Sequence, residues 1–395
     1  MAERNLDFDR VINRRNTKSL KYDFAKERGM PEDVLPLWVA DMDFKTSSYV
    51  EDALKEWAMY GIFGYSEVKR DYFEILKNWM EKHYNWNVQE RWLIKTPGVV
   101  FALAMAVKAY TQPGDRVLIQ PPVYYPFSEV ITDNGRRVVD NDLYLGEDNK
   151  YHMDFMDLEK KIREENIRLF FLCSPHNPVG RVWTKEELIR LGDICVKYGV
   201  TVVSDEIHHD FIFSGEHHVF AGLKKEFAEI SVTCTSPSKT FNLAGMMISN
   251  IFIPNQTLRR KFRKEVDGAG ISQLGIMGLA ACEAAYGKGE EWYRAMLSYV
   301  KENIEFTRQY VQEHLPGVKM TEHEGTYLLW LDFNGLSIDA EELDKRIVNE
   351  AKLWLDSGKI FGNPGRGFER INAACPRSVL KEALYRLSRI REERK

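Results

Sequence analysis

Short apolar runs recur through the middle of the chain, and turn-forming residues bound each of them. They are rich in β-branched side chains and cover residues 116–120, 167–173, 200–204, 230–235 and 248–253. Continuous rather than alternating hydrophobicity is typical of strands that are buried on both faces of a sheet. We therefore predict a strand at each of these runs.

Helical patterns separate and follow the predicted strands. One begins at Thr184, because Glu187 three residues later completes a capping box. The predicted helices cover residues 99–110, 184–197, 258–286 (continuous or broken), 292–314, 339–353 and 376–391. Alternation of strands and helices predicts an α/β protein with a mostly parallel sheet between helices. A further strand pattern at 325–333 and the last two helices predict a smaller α+β domain at the end of the chain.

Composition narrows the class of protein. The chain has 395 residues and a formal net charge of −4, and this near balance argues against a general nucleic-acid binder. No apolar run approaches the length of about 18 residues that a membrane-spanning helix needs. The N-terminus is charged from its third residue, and the five cysteines are scattered without metal-binding spacing. We expect a cytoplasmic protein with reduced thiols.

Polar residues follow three successive predicted strands. Asn177 follows the run at 167–173, Asp205 the run at 200–204, and Lys239 the run at 230–235. In open α/β sheets, ligands bind beyond the carboxyl ends of the strands. An amide, a carboxylate and an amine should therefore converge on one edge of the sheet.

This set of groups fits pyridoxal 5′-phosphate (PLP). The cofactor needs a lysine for its Schiff base and a carboxylate beside its pyridine nitrogen, which Lys239 and Asp205 would supply. Asn177 would donate to the ring oxygen, and Tyr124 would stack on the ring. Backbone N–H groups at a helix N-terminus and nearby hydroxyls suit the phosphate, and the expected set is Gly98, Val99, Val100, Ser236 and Ser238.

Each residue alone also has an ordinary interpretation. Lys239 could be a solvated surface residue, Asp205 could cap a turn, and Asn177 could belong to an Asn-Pro turn. Tyr124 could simply fill space in the core. These residues all follow the carboxyl ends of successive predicted strands, and this shared position favours the cofactor site.

Nine longer motifs carry a resemblance to a known family. They cover residues 12–17, 37–44, 63–66, 96–100, 120–126, 172–181, 204–208, 236–245 and 367–372. In their order along the chain they resemble the fold-type I PLP enzymes of the aspartate aminotransferase superfamily. Within it, the chain is similar to the cystathionine β-lyase-like C–S lyases over essentially its whole length.

The resemblance implies an aspartate aminotransferase-like fold and the cofactor roles given above for Lys239, Asp205, Asn177 and Tyr124. Three further roles follow from it alone. Arg370 would bind the substrate α-carboxylate with the Ala40 backbone nearby, and Tyr65 would reach the cofactor phosphate of the partner in a homodimer. The implied organisation is an N-terminal segment (1–47) packed with a small domain (289–395), and a large PLP-binding domain (48–288).

Two positions depart from the pattern of many aminotransferases. Met247 stands where those enzymes have an arginine that binds the phosphate. Backbone N–H groups, hydroxyls and Tyr65 should therefore bind the phosphate instead. His208 replaces a tyrosine three residues after the ring-nitrogen aspartate, and we include it among the cofactor-binding residues. Both departures resemble the C–S lyase branch.

A metal site is the weaker interpretation of the histidine pairs His208–His209 and His217–His218. Adjacent histidines after a strand point to different sides, and no third ligand has convincing spacing. We therefore predict that the chain binds no metal.

Three functions remain open from the residues. The first is α,β-elimination from cystathionine, cysteine or a cysteine S-conjugate, which gives a thiol, pyruvate and ammonia. The second is an L-amino-acid aminotransferase, which would use the same Lys239, Asp205 and Arg370. The third is a regulatory binding protein on the same fold, although such a protein would not need Lys239 together with Asp205.

Overall fold

The computed structural model describes residues 2–391. Its α-helices are α1 Leu20–Asp23, α2 Ser48–Tyr60, α3 Arg70–Tyr84, α4 Val99–Tyr110, α5 Pro126–Asp133, α6 Phe155–Glu164, α7 Lys185–Tyr198, α8 Phe220–Leu223, α9 Lys225–Ile230, α10 Pro237–Thr240, α11 Gln256–Gly268, α12 Ile276–Lys288, α13 Glu290–His314, α14 Ala340–Asn349 and α15 Arg377–Ser388. Its strands are β1 Leu35–Pro36, β2 Leu93–Thr96, β3 Arg116–Ile119, β4 Arg137–Asp140, β5 Tyr144–Leu145, β6 Tyr151–His152, β7 Leu169–Cys173, β8 Thr201–Asp205, β9 Ser231–Thr235, β10 Ser249–Phe252, β11 Lys319–Met320, β12 Leu328–Asp332, β13 Leu353–Trp354, β14 Asp356–Ser357 and β15 Phe368–Asn372.

The central sheet has seven strands in the order β2-β10-β9-β8-β7-β3-β4. The five strands from β9 to β4 are parallel, whereas β10 runs antiparallel to both of its neighbours. Every residue of β7 and β9 is buried, as expected for strands covered on both faces. The predicted α/β class with a mostly parallel, mixed sheet is confirmed.

A second sheet of four antiparallel strands has the order β11-β12-β15-β14. It places Arg370 of β15 opposite Trp330 of β12 and Asp356 of β14. Near it, β1 from the N-terminal segment pairs in parallel with β13. The indoles of Trp38 and Trp354 stack there with ring centroids 4.4 Å apart.

Most of the predicted helices form, with altered ends. Helix α4 has the predicted bounds. Helix α7 begins with the predicted capping box and ends at Tyr198, followed by Gly199 with a φ of +66°. The stretch at 258–286 forms two helices, because a non-helical segment separates Gly268, the end of α11, from Ile276, the start of α12. The helix predicted at 339–353 was too long at its end. The helix ends at Asn349. Lys352, just before β13, has a φ of +52°, which a right-handed helix cannot accommodate.

Among residues 2–391, no helix is both long enough and apolar enough to cross a membrane. The buried apolar residues instead form clusters on both sides of the central sheet and between the two sheets.

Two glycines allow a close backbone contact just before β15. A Cβ atom at Gly358 would lie 1.9 Å from the carbonyl oxygen of Gly365 and 2.7 Å from that of Phe368. Backbone atoms cannot move aside as a flexible side chain can. We therefore expect Gly358→Ala to lower the free energy of unfolding by about 1–3 kcal/mol or more, through overpacking.

Urea denaturation followed by circular dichroism would measure this loss. Gly268→Ala is the matched control, because its Cβ would meet nothing within 4 Å at the end of α11. The control should be neutral or slightly stabilising. Equal midpoints for Gly358→Ala and the wild type would show that the contact is not tight.

Candidate active site

One pocket of about 210 Å³ lies at the carboxyl ends of the central strands. Most of the predicted cofactor and substrate residues line it, namely Ala40, Gly98, Val99, Val100, Tyr124, Asn177, Asp205, His208, Ser236, Ser238 and Lys239. The parallel strands β7, β8 and β9 end side by side, so the segments that follow them face the same space. The convergence expected from the sequence is therefore present in the fold.

Lys239 projects from the short helix α10, which begins directly after Ser236 at the end of β9. Its Nζ donates a 2.6 Å hydrogen bond to the carbonyl oxygen of Ala40. Burial lowers the pKa of the Lys239 amine to about 8; the positive charge of Arg370 also lowers it, whereas Asp41 and Asp205 oppose the shift. Near neutral pH, an amine with this pKa is neutral, and so able to act as a nucleophile or base, in a larger fraction of molecules than an ordinary lysine.

Asp205 is the last residue of β8 and is buried at the base of the pocket. Its Oδ1 accepts a 3.1 Å hydrogen bond from the backbone N–H of Ile207. Burial raises the pKa of the carboxyl to about 7, although Lys239 favours its ionised form. A cationic ring nitrogen beside this carboxylate would stabilise the charge that burial disfavours.

Tyr124 and Asn177 are held together by their backbones, because the N–H of Tyr124 donates to the carbonyl of Asn177 at 3.1 Å. Burial raises the pKa of the Tyr124 phenol, so its hydroxyl keeps its proton near neutral pH. The side-chain oxygen of Asn177 accepts a 2.9 Å hydrogen bond from Arg370 Nη1. This contact leaves the amide NH₂ of Asn177 as the donor for a ligand.

The opposite end of the pocket is built from helix α4. Gly98 precedes its first residue, and the first N–H groups of a helix have no partner within it. Ser236 accepts from the N–H of Ser238 at 3.1 Å and donates to the carbonyl of Ile248 at 2.7 Å. Met247 also lines the pocket and is largely exposed, so the side chain at this departure from the aminotransferase pattern carries no charge.

Arg370 lies behind Asn177 and is buried. Its Nη2 donates to the carbonyl of Trp38 at 2.8 Å and also contacts the carboxylate of Asp356, and its guanidinium lies 4.9 Å from the ring centroid of Phe361. It is not among the pocket-lining residues, but its bond to Asn177 places it immediately beside them.

Tyr65 is not brought to this pocket. It lies between α2 and α3, and its side chain is 99% exposed in the single chain. Met59, Tyr60, Ile62 and Phe63 are exposed with it. The contact predicted between Tyr65 and the cofactor of a partner subunit stays a prediction.

Two residues that contact Ala40 and Arg370 beside the pocket, Tyr327 and Asp356, were not anticipated from the sequence. The hydroxyl of Tyr327 donates to the Ala40 carbonyl at 2.8 Å, beside the Lys239 bond, and its ring centroid lies 5.7 Å from that of His208. Asp356 contacts Arg370 from the neighbouring strand. Neither could be found from strand ends, because Tyr327 and Asp356 come from the second sheet and its flanking turn.

The residues present fit PLP as a group. The pocket combines an amine, a buried carboxylate that forms no ion pair with any described residue, a helix N-terminus and an aromatic ring. His208 adds a buried Nδ1 atom that has no hydrogen-bond partner among the described residues, and burial holds its pKa well below the usual value, so the imidazole is neutral. These are the complements of an aldehyde, a pyridine nitrogen, a phosphate and a ring face.

The comparisons with known proteins agree with this geometry. The family model for aminotransferase class I and II matches residues 32–387. The chain is 42% identical to cystathionine β-lyase PatB of Bacillus subtilis (strain 168), covering 97% of this chain and 99% of PatB. Two solved structures are also similar. Cystalysin from Treponema denticola, which contains a pyridoxal 5′-phosphate cofactor, has a TM-score of 0.93 at 38% identity and covers 97% and 98% of the two chains. The PLP-bound C–S lyase from Staphylococcus hominis has a TM-score of 0.91 at 33% identity and covers 98% of each chain.

The chain therefore belongs to the aminotransferase class I and II family. Its predicted family and its predicted aspartate aminotransferase-like fold are both confirmed.

The lowered pKa of Lys239 predicts how the cofactor-free protein takes up PLP. Only the neutral amine attacks an aldehyde, so the uptake rate should rise with pH through a midpoint near 8. Asp41 favours the protonated amine, so Asp41→Asn should move this midpoint to lower pH. Stopped-flow absorbance over a pH series would measure both profiles.

Asp52→Asn is the control, because Asp52 is a partly exposed carboxylate that pairs with Arg4. Its midpoint should match the wild type. An unchanged midpoint in Asp41→Asn would mean that Asp41 does not act on the Lys239 amine.

Proposed function

We propose that this protein is a PLP-dependent C–S β-lyase, which eliminates a thiol from cystathionine, cysteine or a cysteine S-conjugate and yields pyruvate and ammonia. One observation carries the proposal: Lys239, Asp205 and Asn177 meet in one pocket of a chain that is 42% identical to a cystathionine β-lyase. The predicted lyase class and cofactor are confirmed by the named relatives.

PLP, when bound, supplies the electron sink for the carbanion chemistry, and the chain supplies the proton transfers and the orientation. Lys239 would hold the cofactor, and its freed amine would remove the proton from the substrate Cα. Asp205 would keep the ring nitrogen protonated by remaining ionised beside it. Asn177 would donate to the ring oxygen, and Tyr124 would pack on the ring face.

The C–S bond breaks after the Cα proton has been removed. The thiol sulfur would then need a proton, and two groups that line the pocket, Lys239 and Tyr124, could give one. Lys239 holds the proton taken from Cα, and Tyr124 keeps its own because burial raises the pKa of the phenol. If Lys239 is the donor, its amine is regenerated directly; if Tyr124 is the donor, the proton held by Lys239 would return to Tyr124. Water would then convert the remaining three-carbon fragment to pyruvate and ammonia.

The substrate α-carboxylate would bind Arg370. A guanidinium offers two parallel N–H donors to a carboxylate, and Asp356, Trp38 and Asn177 hold this one in a fixed orientation. The Ala40 backbone would lie beside the same carboxylate. At the other end of the cofactor, the phosphate would bind the N–H groups of residues 98–100 and the hydroxyls of Ser236 and Ser238, and His208 would contact the ring.

The proposal extends to the assembly and the domain division. We propose a homodimer in which Tyr65 reaches the partner's phosphate, supported by its exposure next to Ile62 and Phe63. We also retain the division into 1–47, 48–288 and 289–395, which is supported by the separate seven-stranded and four-stranded sheets and by the pairing of β1 with β13.

The direct test is incubation of the purified holoenzyme with L-cystathionine. A lyase releases pyruvate, ammonia and homocysteine without any keto-acid acceptor. Lys239→Ala should lower the rate of pyruvate formation by at least about 100-fold through loss of the base. Lys225→Ala, at an exposed lysine in α9, should leave the rate unchanged.

Transfer of the amino group to a keto acid, with pyridoxamine phosphate formed and no pyruvate released, would reject the lyase and support an aminotransferase. A protein whose visible spectrum responds to no amino acid would support a regulatory binding protein instead.

Arg370→Lys should weaken substrate binding rather than the chemical step. Lysine cannot make the bidentate contact, so we expect KM for cystathionine to rise about 10- to 100-fold, with a smaller change in kcat. Steady-state kinetics would separate the two parameters. Arg366→Lys, at an exposed arginine that pairs with Glu341, is the control, and equal KM values for the two variants would contradict the assignment.

A further inference from the structure

A second cluster of potential ligands lies behind the candidate active site. Glu206, His209 and His217 are 0%, 1% and 6% exposed, and one ligand atom from each lies within 4.8 Å of the others. Spacing along the chain indicates no third ligand for these histidines. The fold supplies it, because Glu206 directly follows the last residue of β8 and His217 returns to it eleven residues later.

The carboxylate of Glu206 is oriented by its own partners. Its Oε1 accepts from the Ser204 hydroxyl at 2.8 Å and from the backbone N–H of Phe220 at 3.2 Å. This leaves Oε2 facing His217, whose Nε2 lies 2.9 Å away. Such second contacts fix a ligating carboxylate in metal sites.

His209 is incompletely satisfied. Neither of its ring nitrogens forms a hydrogen bond with any described residue, although Nε2 lies 3.2 Å from a carboxylate oxygen of Asp210. Asp210 itself accepts hydrogen bonds from Trp79, Tyr84 and Thr240. The other nitrogen of His209, Nδ1, has neither a hydrogen-bond nor an ion-pair partner among the described residues, and a buried polar atom of this kind is costly unless a ligand takes it.

The charges of the cluster also call for a cation. Glu206 and Asp210 are two buried carboxylates, and among residues 2–391 neither forms an ion pair with a lysine or arginine. Among the described residues, the ion-pair partners of these two carboxylates are the imidazoles of His209 and His217, so a divalent ion bound here would add positive charge next to both carboxylates. Two histidines and one carboxylate are a ligand set that Zn²⁺ accepts, and a fourth position can stay open to water.

We propose that Glu206, His209 and His217 bind a divalent transition-metal ion, with Zn²⁺ as the representative probe. Of the three ligands, His217 also lines a polar cavity of about 810 Å³, whose wall includes His218 and Tyr84. The ion would tie the end of β8 to the segment around His217. Through Asp210 and its bond to Thr240, this site is connected to the residue next to Lys239.

The test uses the PLP-loaded full-length enzyme after treatment with a chelator. Isothermal titration with Zn²⁺ should show one site per chain, and X-ray absorption should show two imidazole ligands. His209→Ala should weaken zinc binding by about 100-fold or more, since even changes to outer contacts cost 10- to 100-fold. His218→Ala is the matched control: it removes the adjacent histidine, which lines the same cavity, and should bind as the wild type does.

Circular dichroism of each chelator-treated variant checks that it is folded, and Glu206→Gln provides a second ligand variant if His209→Ala is not. No zinc binding by the wild type, or equal affinity in the wild type and the folded ligand variants, would overturn the proposal. Because the readouts are zinc affinity and ligation, this result is independent of whether cystathionine is the substrate.

Discussion

The in-register pairing of three parallel strands is the constraint on which the candidate site depends. Cys173 of β7 lies opposite Asp205 of β8, which in turn lies opposite Cys234 of β9. The three strands therefore leave the sheet at one level, and the segments carrying Asn177, Asp205 and Lys239 start from one edge. Side chains alternate between faces along a strand, so a slip of one residue in β8 would turn Asp205 away from the pocket.

This arrangement could be predicted from the sequence because its signals are local. Buried parallel strands appear as continuous apolar runs, and the direction of the chain then decides which residues follow the carboxyl ends. The same reasoning gave the bounds of α4 and the capping box at Thr184. The residues that follow the strands and meet in the cofactor pocket could therefore be predicted without any distance between them being known.

Other parts depend on contacts between distant segments, which leave no local pattern. The pairing of Arg370 with Asp356 arises from two neighbouring antiparallel strands. Helices α2 and α3 were missed, although α3 has a clear buried face with Phe73, Leu76 and Met80. The end of α14 was placed too far along because Leu353 and Trp354 are apolar, yet they pair with β1 rather than continue the helix. The cluster of Glu206, His209 and His217 likewise needs a chain reversal that spacing alone does not reveal.

The bond between Arg370 and Asn177 joins the two sheets, since Arg370 belongs to β15 and Asn177 follows β7. One guanidinium thus connects the two sheets and is also the group proposed to bind the substrate α-carboxylate. Any hinge-like displacement of one sheet against the other must stretch this bond and turn the guanidinium. The affinity for an amino acid and the relative position of the two sheets are then thermodynamically linked, so that a tightly bound carboxylate would select one arrangement of the whole molecule.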